Sequence, residues 1–167
     1  MLLYEIIERL DSNLHFERVS AHCDIPCKIY DPISAQLAVL TMIRMVELLE
    51  DLEQKAPLSL SQQAQFQRLV AEKESHGKKV KEEIRVIWGD YFKSPQIEAY
   101  PEIHELTHSI MLATSFAKQH IDMDASMDLL AKVNRFAEIF WQSKGVETHV
   151  ATCPYPPSKA LVYPKLG

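Results

Sequence analysis

The sequence lacks any long uninterrupted apolar run, which argues against a helix that crosses a membrane. Although 47% of the 167 residues are hydrophobic, no window reaches the roughly 18 apolar residues that such a helix needs. The basic stripe typical of nucleic-acid-binding proteins is also missing, because lysine and arginine are interspersed with acidic residues and the formal net charge is −5. We therefore expect one globular domain with no membrane and no nucleic-acid partner.

Cysteine is scarce, and its pattern argues against a disulfide framework. The chain has only Cys23, Cys27 and Cys153, an odd number, and Glu5 and Glu8 interrupt the apolar core that an export signal would need. We expect reduced or metal-bound thiols in a cytoplasmic protein. Cys153 is predicted to be a free thiol without a catalytic role.

A clear β-alternating run is also missing, whereas helical spacing of apolar residues recurs along the chain. A short amphipathic helix is predicted over residues 2–10. Longer helices are predicted over residues 33–55, 59–91, 101–119 and 122–144. Four long helices with short connections favour an all-α, up-and-down antiparallel four-helix bundle.

Helix-capping residues support these boundaries. Asp31 and Pro32 predict the start of the first long helix, because aspartate can accept hydrogen bonds from free backbone N–H groups and proline is tolerated in a first turn. Ser59 or Ser61 can cap the second helix, and Asp122 or Asp124 can cap the last. Gly145 is predicted to end the last helix. Residues 146–167 are rich in proline, and we expect an extended tail that lies across a neighbouring surface rather than folding alone.

The segment from His22 to Pro32 holds the residues with the most distinctive chemistry. It reads His-Cys-Asp-Ile-Pro-Cys-Lys-Ile-Tyr-Asp-Pro, and thiolates with imidazole suit nickel, copper, zinc or iron. The spacing alone is weak evidence, since thioredoxin-type pairs have two intervening residues and structural zinc normally takes four protein ligands. A metal site and a thiol redox pair of Cys23 and Cys27 both remain open on this ground.

Three blocks of sequence together resemble one family, the nickel superoxide dismutases. The first block is similar to the family's N-terminal nickel hook, His-Cys-x-x-Pro-Cys-Gly-x-Tyr-Asp-Pro, and departs from it only at Lys28. The second, Trp88 to Lys93 with Pro95, resembles the family's Trp-x-Asp-Tyr-Phe-Lys-x-Pro segment. The third, Phe140 to Lys144, resembles its closing helix. The resemblance covers residues 22–145.

The resemblance implies a processed enzyme that converts superoxide to dioxygen and hydrogen peroxide by Ni(II)/Ni(III) cycling. Residues 1–21 are then a propeptide, removed by a dedicated protease that cuts between Ala21 and His22. One nickel ion per subunit is bound by the freed amino group and ring of His22, the backbone nitrogen of Cys23, and the thiolates of Cys23 and Cys27. The family forms hexamers, so a homohexamer is expected. The implied division is a propeptide over 1–21, the hook and bundle over 22–145, and the tail over 146–167.

Other residues acquire roles from the same resemblance. Tyr30 and Tyr91 match two tyrosines near the open face of the nickel, where hydroxyls can order water and restrict access to small anions. Asp24 helps to hold the hook, and Pro26 follows a cis peptide bond that bends it. Two lysines, Lys93 and Lys28, could attract superoxide locally despite the negative net charge.

The sequence departs from the family in its helices as well as at Lys28, where the family usually has glycine. Ala38 and His76 stand where the family has a glutamate and an arginine that hold the axial histidine, and such supporting residues tune a metal. Two alternatives therefore stay open: a noncatalytic metal-binding protein of the same fold, and a thiol redox protein using Cys23 and Cys27. His104 and His108 could share a helical face but lack a metalloprotease-type motif, so they are not favoured as ligands.

Overall fold

The computed structural model describes residues 28–167, and this range folds into the predicted bundle. The long helices are α1 (Ile33–Glu53), α2 (Leu60–Val86), α4 (Ile103–Gln119) and α5 (Met123–Ser143). A π-helical turn (Ile87–Tyr91) and the short helix α3 (Ser94–Ala99) connect α2 to α4. Helix α1 packs against α2 and α5, and α4 packs against the same two helices. The four-helix architecture is therefore confirmed, while the helix predicted over residues 2–10 lies outside the described residues.

The predicted capping residues form the expected contacts. Asp31 accepts a hydrogen bond of 2.8 Å from the backbone N–H of Ile33. Ser59 begins α2 with a reciprocal capping box, in which its backbone N–H donates to the side chain of Gln62. Asp122 accepts from the backbone of Ala125 at the start of α5, and Gly145 follows that helix with a φ of +72°. Within residues 28–167, no helix is long and apolar enough to cross a membrane.

Helix α4 buries a narrower stripe than its apolar residues predict. The buried positions are Ile103, Thr107, Ile110, Thr114 and Ala117, whereas Leu112 and Phe116 are 59% and 48% exposed. Both side chains lie off the stripe that contacts α2 and α5. Thr114 can replace an apolar residue inside because its hydroxyl donates to the carbonyl of Ile110 on the same helix.

A buried lysine joins α2 to the end of α4. Lys73 is only 2% exposed, and its ammonium donates to the carbonyl oxygens of Ala117 (2.7 Å), Lys118 (2.6 Å) and His120 (2.8 Å). These carbonyls have no partner within α4, because the last turn of a helix leaves its acceptors unpaired. Burial lowers the pKa of Lys73 from its ordinary value of 10.5, and the negative charge of Glu74 opposes this by favouring the charged form.

The C-terminal segment folds onto its own bundle. Strands β1 (Thr148–Thr152) and β2 (Ala160–Pro164) pair antiparallel, with Val150 opposite Val162. The expectation of no strand is wrong, because these short strands carry little alternation and are held by tertiary contacts. Leu161 of β2 is fully buried, and the hairpin packs mainly against α5.

Two polar side chains form hydrogen bonds with the backbone groups at the outer edge of β2. The Gln36 amide of α1 donates to the carbonyl of Val162 (3.0 Å) and to Asn134 Oδ1 (2.9 Å). The Asn134 amide of α5 donates to the carbonyl of Ala160, and its Oδ1 accepts from the N–H of Val162. These groups act as a third strand would, so the edge carries no unpaired backbone at these positions.

Candidate metal centre

The predicted nickel ligands precede the part of the chain that the structure describes. His22, Cys23 and Cys27, with the supporting residues Asp24 and Pro26, lie outside the described residues. Among residues 28–167, no three histidine, cysteine, aspartate or glutamate side chains are close enough together to hold a metal ion. The assignment of these residues as metal ligands thus remains a prediction from the sequence, and the structure shows the surface that follows them in the chain.

Lys28, the first described residue, adopts the conformation that glycine would adopt there most easily. Its φ is +59°, in the left-handed region, where a Cβ is crowded by the backbone. The chain then runs through an exposed Ile29 to Tyr30 and enters α1 at the Asp31 cap. The lysine therefore holds a left-handed turn that glycine would adopt without strain.

Tyr30 and Tyr91 are brought together, as the resemblance implies. Their ring centroids are 6.2 Å apart, and the rings are inclined at 54°. Tyr91 ends the π-helical turn, whose extra residue per turn changes the direction in which side chains leave the end of α2. Its ring packs against Phe140 of α5 at 4.8 Å, which fixes the tyrosine pair to the bundle core.

The hydroxyl of Tyr91 has a defined hydrogen-bond direction. It lies 2.8 Å from Ser143 Oγ, and Ser143 Oγ itself lies 2.7 Å from the carbonyl of Phe140. Since a carbonyl can only accept, the single serine proton goes to Phe140, and Tyr91 must be the donor to Ser143. The phenol oxygen keeps its acceptor capacity for a solvent molecule or another donor.

The lysines near the tyrosines differ in their contacts. Lys93, predicted to guide substrate, donates to the carbonyl of Gly89 at 2.8 Å and is exposed. Lys144, at the end of α5, places Nζ 4.6 Å from the centroid of the Tyr91 ring and 5.0 Å from that of Phe140. Sequence reasoning missed both Ser143 and Lys144 as contacts of Tyr91. The available signal was their place in the closing-helix block.

A second aromatic contact lies on the same π-helical turn. Trp88 Nε1 donates to His104 Nδ1 at 3.0 Å, and the two rings meet edge to face at 5.7 Å. A histidine nitrogen that accepts in this way is unprotonated, so the ring proton is on Nε2. His104 therefore acts as a partner of Trp88, and no metal-binding cluster of residues 28–167 includes it or His108.

Ala38 and His76, the two helix residues that depart from the family pattern, have different surroundings. Ala38 is 2% exposed within α1 and offers only a methyl group. His76 hydrogen-bonds to the backbone carbonyl of Glu72 on its own helix, with the Glu72 carboxylate 3.6 Å away. A carboxylate support at position 38 is absent, so a histidine ligand would need a different partner.

Comparisons with known proteins show the family to which the chain is similar. The family of nickel-containing superoxide dismutases matches residues 17–144. The nickel superoxide dismutases of Streptomyces seoulensis and Streptomyces coelicolor are each 34% identical to this chain, over 128 and 127 residues. These alignments cover 76% and 75% of this chain and 91% and 90% of those proteins.

The fold is shared as well. A solved structure of native nickel superoxide dismutase superposes with a TM-score of 0.66 at 30% identity, covering 74% of this chain and 99% of that chain. The family match ends at residue 144, so the β1–β2 hairpin lies outside it. The match spans most of the chain and includes the hook sequence, the Trp88 block and the tyrosine pair. The chain belongs to the nickel-containing superoxide dismutase family.

Proposed function

We propose that the protein dismutates superoxide at a nickel centre built from His22, Cys23 and Cys27, with Tyr30 and Tyr91 at its open face. The observation that carries this proposal is the juxtaposition of the two tyrosines, whose rings lie 6.2 Å apart next to the hook sequence. The family supplies the reaction and the metal. The positions of the tyrosines indicate on which side of the bundle we propose that the reaction takes place.

The donor set fits nickel. Thiolates, an amine, a deprotonated backbone amide and an imidazole are nitrogen and sulfur ligands that suit Ni(II), and anionic donors stabilise its oxidised form. When bound, nickel supplies a one-electron couple that can oxidise one superoxide and reduce the next. The chain's own residues must hold the metal, admit a small anion and provide protons for peroxide.

Chain connectivity links the ligands to the tyrosines. Cys27 precedes Tyr30 by three residues, and a chain can span at most about 3.6 Å per residue, or roughly 11 Å here. The Cα atoms of the two residues therefore lie no more than about 11 Å apart, and we propose that a metal held by Cys27 lies on the side of the bundle that carries the tyrosine pair. Because Tyr91 donates to Ser143, its oxygen can accept from a water molecule at this face. We propose that both phenols order such water and exclude larger anions.

We further propose a processing step and an assembly, both expected from the resemblance to the family. The proposed protease removes residues 1–21, because only cleavage before His22 provides a free amine as ligand. A cytoplasmic homohexamer is the proposed assembly. The exposed Leu112 and Phe116 on α4 support association, since apolar side chains of this size are commonly buried between subunits.

The test is coexpression with the processing protease, followed by intact mass, nickel analysis and superoxide decay measured by pulse radiolysis. We expect a mass that begins at His22, one nickel per chain and fast decay of superoxide. A nickel-loaded protein that does not dismutate superoxide would support the noncatalytic alternative, which the missing carboxylate at Ala38 favours. Activity that survives blocking of the His22 amine would favour the thiol redox alternative.

A further inference from the structure

We propose that Lys144 supplies the positive charge that draws superoxide to the Tyr30 and Tyr91 face, and that Ser143 positions Tyr91 beneath it. The proposal rests on the proposed function, since it assigns a guiding residue to the same face. The resemblance pointed to Lys93 and Lys28 for this role. The contacts of the described residues favour Lys144 instead.

The aromatic rings next to Lys144 bind its ammonium group without neutralising its positive charge. Its Nζ lies 4.6 Å from the Tyr91 ring centroid and 5.0 Å from that of Phe140. An aromatic face attracts a cation but carries no net charge. Within residues 28–167 Lys144 forms no ion pair, whereas Lys132, Lys159 and Lys165 each pair with a carboxylate. No carboxylate among the described residues therefore neutralises its charge.

Lys93 is placed less favourably for the same role. Its ammonium donates to the carbonyl of Gly89, four residues earlier on its own turn. That bond directs one N–H at the backbone and orients the head group toward the Gly89 carbonyl. The chain as a whole is acidic, with a formal charge of −5, so only a local positive field can accelerate the arrival of an anion. Lys144 provides such a field directly over the tyrosine ring.

Ser143 completes the arrangement from the neighbouring position in the chain. Its hydroxyl donates to Phe140 and accepts from Tyr91, which fixes the side of the phenol that carries the proton. The last turn of α5 thus sets both the direction of the Tyr91 hydroxyl and the charge above the Tyr91 ring. Ser143 is a positioning residue, because it acts on the site through Tyr91.

The charge is tested with Lys144→Gln, Lys144→Arg and Lys93→Gln in processed, nickel-loaded protein. Lys79→Gln serves as the matched control, since it removes the same charge from an exposed position of α2 that lies about three turns before Tyr91. Pulse radiolysis gives the second-order rate constant for superoxide against ionic strength. At low ionic strength we expect Lys144→Gln to lower this rate constant about three-fold and to make the rate constant depend less on salt. Lys144→Arg should restore both, Lys93→Gln should lower the rate constant less than Lys144→Gln does, and Lys79→Gln should change it little.

A second measurement needs no nickel. In protein labelled with carbon-13 at lysine, the ring currents of Tyr91 and Phe140 should shift the Lys144 ε-methylene proton signal upfield, and Tyr91→Leu should reduce that shift. The ultraviolet resonance Raman tyrosine doublet should change in Ser143→Ala and be restored in Ser143→Thr, with Tyr91→Phe identifying the contribution of Tyr91.

The outcomes separate the two proposals. Wild-type protein that holds nickel but does not dismutate superoxide contradicts the proposed function. Active wild-type protein whose rate and salt dependence are unchanged in Lys144→Gln overturns the role of Lys144. A larger loss in Lys93→Gln than in Lys144→Gln also overturns it. A Raman doublet that Ser143→Ala leaves unchanged overturns the positioning role of Ser143.

Discussion

The rings of Tyr30 and Tyr91 lie 6.2 Å apart, although Tyr30 precedes the first bundle helix and Tyr91 follows the second. Packing of Tyr91 on Phe140 connects the pair to the last helix of the bundle. The contact thus joins the chain that leaves the hook sequence to the end of α2 and to α5. The tyrosine pair connects the start of the described chain to the bundle.

Replacing Tyr91 by phenylalanine separates the role of its hydroxyl from that of its ring. The variant keeps the contact with Phe140 but loses the hydrogen bond to Ser143, which is worth about 1 kcal/mol of unfolding free energy. We expect unchanged nickel content, stronger inhibition by azide because the entrance widens, and about five-fold slower dismutation. Tyr155→Phe, at an exposed residue of the hairpin loop, is the control. Azide inhibition equal to that of the wild type would contradict the gating role.

Replacing Lys73 by methionine tests the buried link between α2 and α4. The change leaves the carbonyls of Ala117, Lys118 and His120 without their donor. We expect a loss of about 2 to 4 kcal/mol in the free energy of unfolding, measured by urea denaturation at fixed protein concentration. Lys78→Met, at an exposed position of the same helix, should change it by less than about 0.5 kcal/mol. Similar losses in the two variants would show that the carbonyl contacts contribute little.

Serine in place of Cys27 tests the ligand assignment. A hydroxyl is a much poorer nickel ligand than a thiolate, so we expect nickel per chain to fall to near zero while the helical circular dichroism spectrum is kept. Cys153→Ala is the matched control, because Cys153 is buried in the hairpin region and its thiol contacts the carbonyl of Tyr155. Full nickel loading of Cys27→Ser would remove Cys27 from the ligand set.

Replacing Lys28 by glycine tests the strained turn beside the ligands. The φ of +59° costs a non-glycine residue roughly 1 kcal/mol, and part of the gain from glycine is lost to the greater freedom of the unfolded chain. We therefore expect Lys28→Gly to be slightly more stable to urea than Lys28→Ala, which loses the same charge but keeps the strain. Equal superoxide rate constants in wild type and both variants would argue against substrate guidance by Lys28.

Replacing Asn134 by leucine tests the attachment of the hairpin. The change removes the bonds to Ala160 and Val162 and leaves backbone groups of β2 unpaired. We expect faster amide hydrogen exchange in β1 and β2, with exchange in α1 and α5 little affected. Asn134→Asp keeps the acceptor for the Val162 N–H and should show a smaller effect. Uniform acceleration across the whole chain would show that the hairpin and bundle unfold as one unit.

Much of the bundle could be predicted from local signals. Ser59, Asp122 and Gly145 define helix ends through the hydrogen bonds and backbone angle of their own neighbourhood, and the structure confirms each. The pairing of Tyr30 with Tyr91 was expected only through the family resemblance, because no local pattern relates residues so far apart. The β1–β2 hairpin was missed, since Gln36 and Asn134 satisfy its edge from helices distant in sequence.

The sequence by itself indicated the ends of the long helices and the resemblance to the family, and it predicts His22, Cys23 and Cys27 as ligands, because capping, periodicity and donor chemistry belong to short segments. Only the tertiary structure decided that Lys73 is buried, that β2 is held by amide side chains, and that Lys144 stands over Tyr91 while Lys93 bonds to Gly89. A charged or polar side chain takes its role from the partners that packing brings to it. Those partners come from other helices, so their positions are fixed when the bundle assembles.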